Sequence, residues 1–446
     1  MSAAPPPGST AFFRLLRVIG ALLALTAGLL AWIWLAGVHD FEDPASAASQ
    51  NPALPQANVI VRGEYLTRAG NCMTCHTSRG GASYAGGRGI ETPFGTVFSS
   101  NLTPDPDSGL GKWSANDFWR AIHHGRSQDG RLLYPAFPYT SYTLVSREDS
   151  DAMYAYLRTL PPVAQPAQPH TLRWPFSTQP ALAAWRALYF KPDRFEPDPA
   201  QNADWNRGAY LVRGLGHCAA CHSARNALGG SSPLDLAGGL IPMQNWYAPS
   251  LTRRDEASVA GWPTEDVISL FKTGVAPHAS ALGPMAEVVL HSTQFLSEPD
   301  LQSMAVFLKS LAEPADKQAG AEAVASSTPA AAGKVPLSAQ QGARLFDKHC
   351  AQCHGDRGEG VRGIYPALAG NRAVTMPSTA NLVQIVLNGG YSPATEGNPR
   401  PYGMPPFVLE LSDVEVASVL TFIRTSWGNR GGEVTAFDVN RARTPQ

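Results

Sequence analysis

All six cysteines of this 446-residue chain sit in one short motif used three times: Cys72-Met-Thr-Cys75-His76, Cys218-Ala-Ala-Cys221-His222 and Cys350-Ala-Gln-Cys353-His354. No thiol remains for a structural disulfide or a catalytic nucleophile elsewhere. A lone Cys-x-x-Cys is compatible with a zinc knuckle or a redox dithiol. A histidine directly after each pair, three times over, narrows the chemistry. Two thiols that can add across vinyl groups and an imidazole that can ligate iron then lie within one turn of chain, as covalent haem attachment requires. The expectation is three covalently bound haem c groups, held through Cys72, Cys75, Cys218, Cys221, Cys350 and Cys353. His76, His222 and His354 are the expected proximal iron ligands. Attachment of this kind takes place outside the cytoplasmic membrane.

At roughly 150 residues per domain the length allows about three domains, and the sequence around each motif repeats. Arg62-Gly-Glu-Tyr-Leu-Thr-Arg leads into the first motif, Arg207-Gly-Ala-Tyr-Leu-Val-Arg into the second and Gly342-Ala-Arg-Leu-Phe-Asp-Lys into the third. Asn101-Leu-Thr and Ser250-Leu-Thr form a second shared block, followed by helix starts at Ser114, with Asp117 at capping-box spacing, and at Thr264. The third unit begins its equivalent helix near Ser378. Each unit closes on the same signal, Ser146-Arg-Glu-Asp149, Ser297-Glu-Pro-Asp300 and Ser412-Asp-Val-Glu415, all S-x-x-D/E helix starts. The units span 58–162, 202–313 and 338–428, and an Ala-rich flexible linker occupies 314–337. Each reads as helix, motif, long loop, helix, Met-bearing loop and closing helix.

A thioether opposite histidine favours ferrous iron and raises the potential. Met404, in Tyr402-Gly-Met-Pro-Pro, and Met285, in Leu282-Gly-Pro-Met-Ala, stand upstream of the closing helices of units three and two, where such a ligand belongs. Unit one departs from this pattern: Tyr134-Pro-Ala-Phe137-Pro138 puts a phenylalanine at the ligand position. Met153 is a substitute by chemistry, although Met304 holds the same helical position in unit two beside Met285, so core packing is the plainer reading. His123 and His124 are the remaining candidates, against their reading as surface histidines. Haem one is then five-coordinate or closed by one of these side chains, and its potential differs from the other two.

Residues 18–38 form an apolar run long enough to cross a bilayer core of about 30 Å. Arg14 and Arg17 precede it, Asp40, Glu42 and Asp43 follow it, and Trp32 and Trp34 lie near its outer end. Positive-inside bias leaves residues 1–17 in the cytoplasm and everything after the span on the periplasmic side of the cytoplasmic membrane. A cleaved export signal is the alternative, with small residues at 44–48 as its cleavage site. The formal charge of −1 offers neither a basic surface for nucleic acid nor an acidic tail. Rossmann and P-loop fingerprints and a Ser/His/Asp order are missing, and the glycine-rich stretch 80–89 reads as a loop around a haem edge.

The repeated unit resembles the class I cytochrome c fold, which implies an all-α chain: three tandem cytochrome c domains after an N-terminal transmembrane helix. Over nearly its whole exported length the chain is similar to the tri-haem cytochrome c subunits of bacterial membrane-bound alcohol, gluconate and molybdenum-containing aldehyde dehydrogenases. The resemblance is carried by Thr92-Pro-Phe-Gly-Thr-Val-Phe-Ser-Ser-Asn-Leu-Thr-Pro-Asp, Leu133-Tyr-Pro-Ala-Phe-Pro-Tyr, Leu172-Arg-Trp-Pro-Phe, Gly283-Pro-Met-Ala-Glu-Val-Val and Tyr402-Gly-Met-Pro-Pro-Phe. It implies a subunit that takes electrons from a catalytic partner of molybdopterin, PQQ or flavin type and passes them to ubiquinone or the oxidase chain. Alcohol-dehydrogenase members usually carry Met where Phe137 stands, and many have a cleaved signal. Both departures tilt the reading towards the cytochrome of an aldehyde-oxidising molybdenum hydroxylase. The cytochrome arm of a terminal oxidase, or another respiratory relay, is the alternative class, and an enzyme using an open site on haem one is a third. The aromatic segment from Trp174 to Phe190 is either a partner or membrane contact, or packing between units one and two, with packing preferred.

Overall fold

The computed structural model describes residues 8–38, 57–232, 235–277, 279–313 and 337–443. Most of the linker, and the acidic and small residues that follow the apolar run, lie outside them.

The chain opens with α1 (Gly8–Ile33), continued by a π-helical turn over Trp34–Val38. The apolar span covers Phe12–Val38, 27 residues at mean hydropathy 2.2; its most apolar stretch is unburied, and its far end packs on the protein through Ile33, Gly37 and Val38. It therefore starts earlier than the expected 18–38. Phe12, Phe13, Leu15 and Leu16 are exposed and extend the apolar face around Arg14 and Arg17.

Unit one contains α2 (Ala57–Ala69), the short α3 (Cys72–Cys75), α4 (Ala115–His124), α5 (Tyr139–Tyr142) and α6 (Arg147–Leu157). A bridging helix, α7 (Gln179–Tyr189), leads to unit two, with α8 (Ala203–Ala209), α9 (Ala219–His222), α10 (Thr264–Thr273), α11 (Pro284–His291) and α12 (Glu298–Ser310). Unit three contains α13 (Leu337–His349), α14 (Ala351–His354), α15 (Arg372–Thr375), α16 (Ala380–Asn388), α17 (Asp413–Thr425) and α18 (Ala436–Arg443). The all-α expectation needs a correction, because among the described residues four antiparallel two-stranded hairpins ornament the loops, the first pairing Gly89–Thr92 with Gly95–Phe98. Unit three also runs past 428. Val434 and Val439 are buried in its core, and Arg443 Nε donates to Asp413 at 2.6 Å.

Each unit is built on the same crossing of its first and last helices. A Cβ on Gly63 would lie 1.9 Å from the Ala152 carbonyl oxygen, on Gly208 2.0 Å from that of Ser303, and on Gly342 2.1 Å from that of Ser418. The three glycines stand at equivalent places in the repeat, and only a missing side chain permits backbones this close. The S-x-x-D/E signals all cap helices as expected, with Ser146, Ser297 and Ser412 accepting from the amides of Asp149, Asp300 and Glu415.

The units are not arranged as equal beads. One continuous core runs through units one and two, including Leu66, Leu157, Leu211, Leu215 and Leu301, while unit three has its own around Val416, Leu420 and Leu387. The first pair is joined by a reciprocal network. Tyr65 donates to Asp300 of unit two at 2.5 Å, and Tyr210 donates to Asp149 of unit one at 2.6 Å. Each aspartate is also gripped by the arginine of its own unit: Arg62 Nε on Asp149 at 2.9 Å, and Arg207 Nε on Asp300 at 2.8 Å. Units one and two thus face each other about a pseudo-two-fold axis. Unit three has Gln341 and Arg344 at the Arg and Tyr positions and takes no part. It docks on unit two through Asn381, whose side chain makes two 2.8 Å bonds to the Tyr247 backbone.

Candidate haem-attachment sites

The short helices α3, α9 and α14 present each motif at the end of the first helix of its unit. Within each motif the two sulfurs are not bonded to each other. Burial, and then the neighbouring thiol, push Cys72 and Cys218 up to about 12 and Cys350 up to about 11. Thiols held protonated in this way are poor redox nucleophiles. Among the described residues no group of three or more His, Cys, Asp or Glu side chains is arranged to hold a metal ion.

The three histidines share one geometry. His76 Nδ1 lies 2.6 Å from the Ser100 carbonyl oxygen, His222 Nδ1 2.7 Å from that of Pro249, and His354 Nδ1 2.9 Å from that of Pro366. A carbonyl only accepts, so each Nδ1 carries the proton and each Nε2 keeps its lone pair for a metal. Burial lowers all three imidazoles further and the carbonyl bond restores part of the shift, which keeps them neutral. The carbonyl partners were not read from the sequence, although a signal was present: Ser100 and Pro249 immediately precede the shared Asn101-Leu-Thr and Ser250-Leu-Thr blocks.

A cavity of about 2200 Å³ opens beside the first motif. Cys72, Cys75 and His76 line it together with apolar Leu102, Phe118, Ile122 and Leu157, and Cys221 of unit two borders it. Thiols, a metal-ready imidazole and an apolar crevice in one place fit a haem. Unit two approaches this crevice closely, since α11 packs against α3 and Arg88 Nη2 donates to Glu287 at 2.8 Å.

Met285 lies in the first turn of α11 rather than in a loop, two residues after Gly283, whose positive φ sets it over the Trp246 ring. Met404 sits in a two-residue strand paired with Gly390–Tyr391 and packs on the core of unit three. Phe137 lines the large cavity, its ring 5.5 Å from that of Tyr142. Met153 also borders the cavity but is only 2% exposed within the core. His123 and His124 are not surface residues, being 3% and 7% exposed, and neither lines the cavity. His123 stacks on Trp119 at 4.2 Å, and burial followed by the charge of His124 pulls it down to about 3.

The later part of the aromatic bridging segment packs units one and two together, whereas Trp174 is 82% exposed. Trp185 Nε1 on α7 donates to the Leu228 carbonyl of unit two at 3.0 Å, and its ring meets Tyr139 of unit one edge-on. The same helix receives the end of α1: Arg186 Nε donates to the Gly37 carbonyl at 2.9 Å and Nη1 to the His124 carbonyl at 2.5 Å.

Paired thiols with a metal-ready histidine, set in helical units with this glycine crossing, define a c-type cytochrome. The cytochrome c family model matches residues 60–161 and 339–427. The chain is 38% identical over 407 residues to the cytochrome c subunit of quinone alcohol dehydrogenase from Gluconacetobacter polyoxogenes, covering 89% of this chain and 86% of that relative. It is 37% identical over 441 residues to the gluconate 2-dehydrogenase cytochrome c subunit of Pantoea cypripedii, 95% of each chain. A nicotinate dehydrogenase subunit from Pseudomonas putida is 40% identical over 421 residues, 93% of this chain but 33% of that longer protein. The chain belongs to the family of cytochrome c subunits of membrane-bound dehydrogenases, and covalently bound haem c is its cofactor.

Proposed function

We propose that the chain is the tri-haem electron-transfer subunit of a dehydrogenase complex, with one haem c on each motif. His76, His222 and His354 are the proximal ligands, and Met285 and Met404 the distal ligands of the second and third. Bound haem supplies one-electron carriers. The chain's own residues hold the thiols, fix the imidazole tautomer and exclude water. The observation that carries this reading is the threefold recurrence of one histidine–carbonyl geometry in a chain whose relatives are dehydrogenase cytochrome subunits over most of their length.

Electrons enter from a separate catalytic subunit of molybdopterin, PQQ or flavin type that oxidises an aldehyde, an alcohol or a sugar acid, and leave to ubiquinone or the oxidase chain. The match to a third of the longer nicotinate dehydrogenase polypeptide supports a module that works beside a catalytic polypeptide. The apolar helix anchors the subunit, with its N-terminal end cytoplasmic and the haem units periplasmic. Its retention is supported by the seat of Gly37, where a Cβ would lie 2.1 Å from the Ala183 carbonyl oxygen.

Purification of the native complex tests the proposal. Stoichiometric haem reduction by the substrate of a co-purifying subunit, with no turnover by this chain alone, is the expected result. Substrate oxidation by the isolated chain would overturn it.

A further inference from the structure

We propose that the first haem iron is five-coordinate, its sixth position covered by the Phe137 ring and open to small diatomic ligands of the carbon monoxide and cyanide class. This inference rests on His76 being the proximal ligand.

A benzyl side chain has no donor atom, so a ligand would have to come from another residue of the same cavity. Met153 is held inside α6 in the shared core, 2% exposed. Its counterparts are Met304 and Val419, both buried, in units that have Met285 and Met404 besides. A place filled by Met, Met and Val is a packing position. His170 borders the cavity, but its Nδ1 accepts the Phe98 amide at 3.1 Å, so its proton sits on Nε2 and neither nitrogen has a free lone pair. His217 also borders it; its Nε2 donates to the Gly70 carbonyl at 3.3 Å, so only Nδ1 keeps a lone pair, and its place directly before Cys218 ties the ring to the second attachment segment. The Tyr142 hydroxyl is committed to the same carbonyl at 2.6 Å, and Lys112 to Asp107 at 2.9 Å. His123, stacked on Trp119, and His124, edge-on to His123, both lie outside the cavity.

Phe137 is itself fixed in place, with Tyr142 at 5.5 Å and Tyr139 at 6.4 Å between ring centroids. An apolar ring offers water and hydrated anions no hydrogen bond at an open iron, so a small ligand of low polarity is the kind it disfavours least. A ferric iron without a strong sixth ligand is high-spin, and loss of the thioether lowers its potential.

The test uses the full-length, haem-loaded chain in detergent. Haem content is measured first, then the ferric spin state by electron paramagnetic resonance, then carbon monoxide binding to the reduced protein. Three haems per chain, a high-spin signal from one of them and carbon monoxide bound to one in three are expected. Phe137→Met should abolish both the high-spin signal and the binding, while Phe137→Leu should keep them. Three haems that are all low-spin and inert to carbon monoxide would overturn this proposal alone. A Met153→Leu variant that newly exposes a binding site would overturn it as well, by showing Met153 to be the ligand. Fewer than three haems per chain would sink the attachment reading too.

Discussion

The hydroxyl of Tyr210 lies 3.3 Å from the Ser146 amide and 2.6 Å from the Asp149 carboxylate, so a residue of unit two completes a helix cap of unit one. In a capping box the third helical residue reaches back to the cap amide, as Glu415 does to Ser412 at 2.9 Å. In units one and two the aspartate turns to its arginine instead, and the cap amide is left to the tyrosine of the opposite unit. Tyr65 does the same for Ser297 at 3.2 Å. The caps of units one and two are therefore shared, whereas unit three closes its own.

Removing either shared hydroxyl should loosen the pair. Tyr210→Phe or Tyr65→Phe should cost about 1.5–3 kcal/mol, the range for a hydrogen bond to a charged group. Arg62→Ala should cost a similar amount, about 1.5–3 kcal/mol, since Asp149 is only 3% exposed but Arg62 is 51% exposed and Tyr210 stays on the carboxylate. Equilibrium denaturation of the haem-loaded chain measures each. Stability unchanged in all three variants would show the network to be idle.

The same network sets an acid limit. Burial alone would raise Asp300, but hydrogen bonds from Arg207 and Tyr65 outweigh it and hold the carboxyl below its ordinary value. A depressed folded pKa contributes stability that is fully present above the unfolded value, about 3.9, and is lost as pH falls through the folded one. Unfolding midpoints should therefore drop steeply below about pH 4. The drop should be shallower in Asp300→Asn, whose uncharged side chain has no such proton to take up. Parallel pH profiles for the two proteins would contradict this assignment.

Gly63→Ala, Gly208→Ala and Gly342→Ala reverse a general rule. In an open helix such a change stabilises by about 0.8–1 kcal/mol. Here the new methyl meets backbone oxygen at 1.9, 2.0 and 2.1 Å, so each variant should lose at least about 1–3 kcal/mol. Thermal unfolding read at the haem absorbance gives the sign directly.

Met404→Leu and Met285→Leu should each lower the potential of one haem and remove its methionine–iron charge-transfer band, since thioether ligation is what raises it. Potentiometric titration resolves this. Potentials unmoved by both changes would assign the distal ligands elsewhere.

Arg186→Met should free the end of α1 from unit one. Haem content should stay the same, while protease should cut faster between the apolar helix and α2. An unchanged cleavage rate would mean that the Gly37 seat holds without the two carbonyl bonds of Arg186.

Much of the site was legible in the sequence because its parts are local. Cys72, Cys75 and His76 are neighbours in one turn, and Ser412 and Glu415 are three residues apart, so their geometry follows from helix spacing. His123 and His124 were misread as surface residues because helical position alone does not say which face is covered. Here Trp119 and the contacts of Arg186 bury them. Phe137 stands out as a departure only when it is set against Met404.

By itself the sequence determined the three attachment motifs, the capped helices around them and the apolar span, since each is a short-range pattern. Only the tertiary structure decided which units pair. Asp149 and Tyr210 are 61 positions apart and Tyr65 and Asp300 are 235 apart. Whether an aspartate caps its own helix or bonds across an interface depends on which faces pack together, and no local period records that. The sharing of one core by units one and two, the separate core of unit three and the docking of the apolar helix on Arg186 arise in the same way.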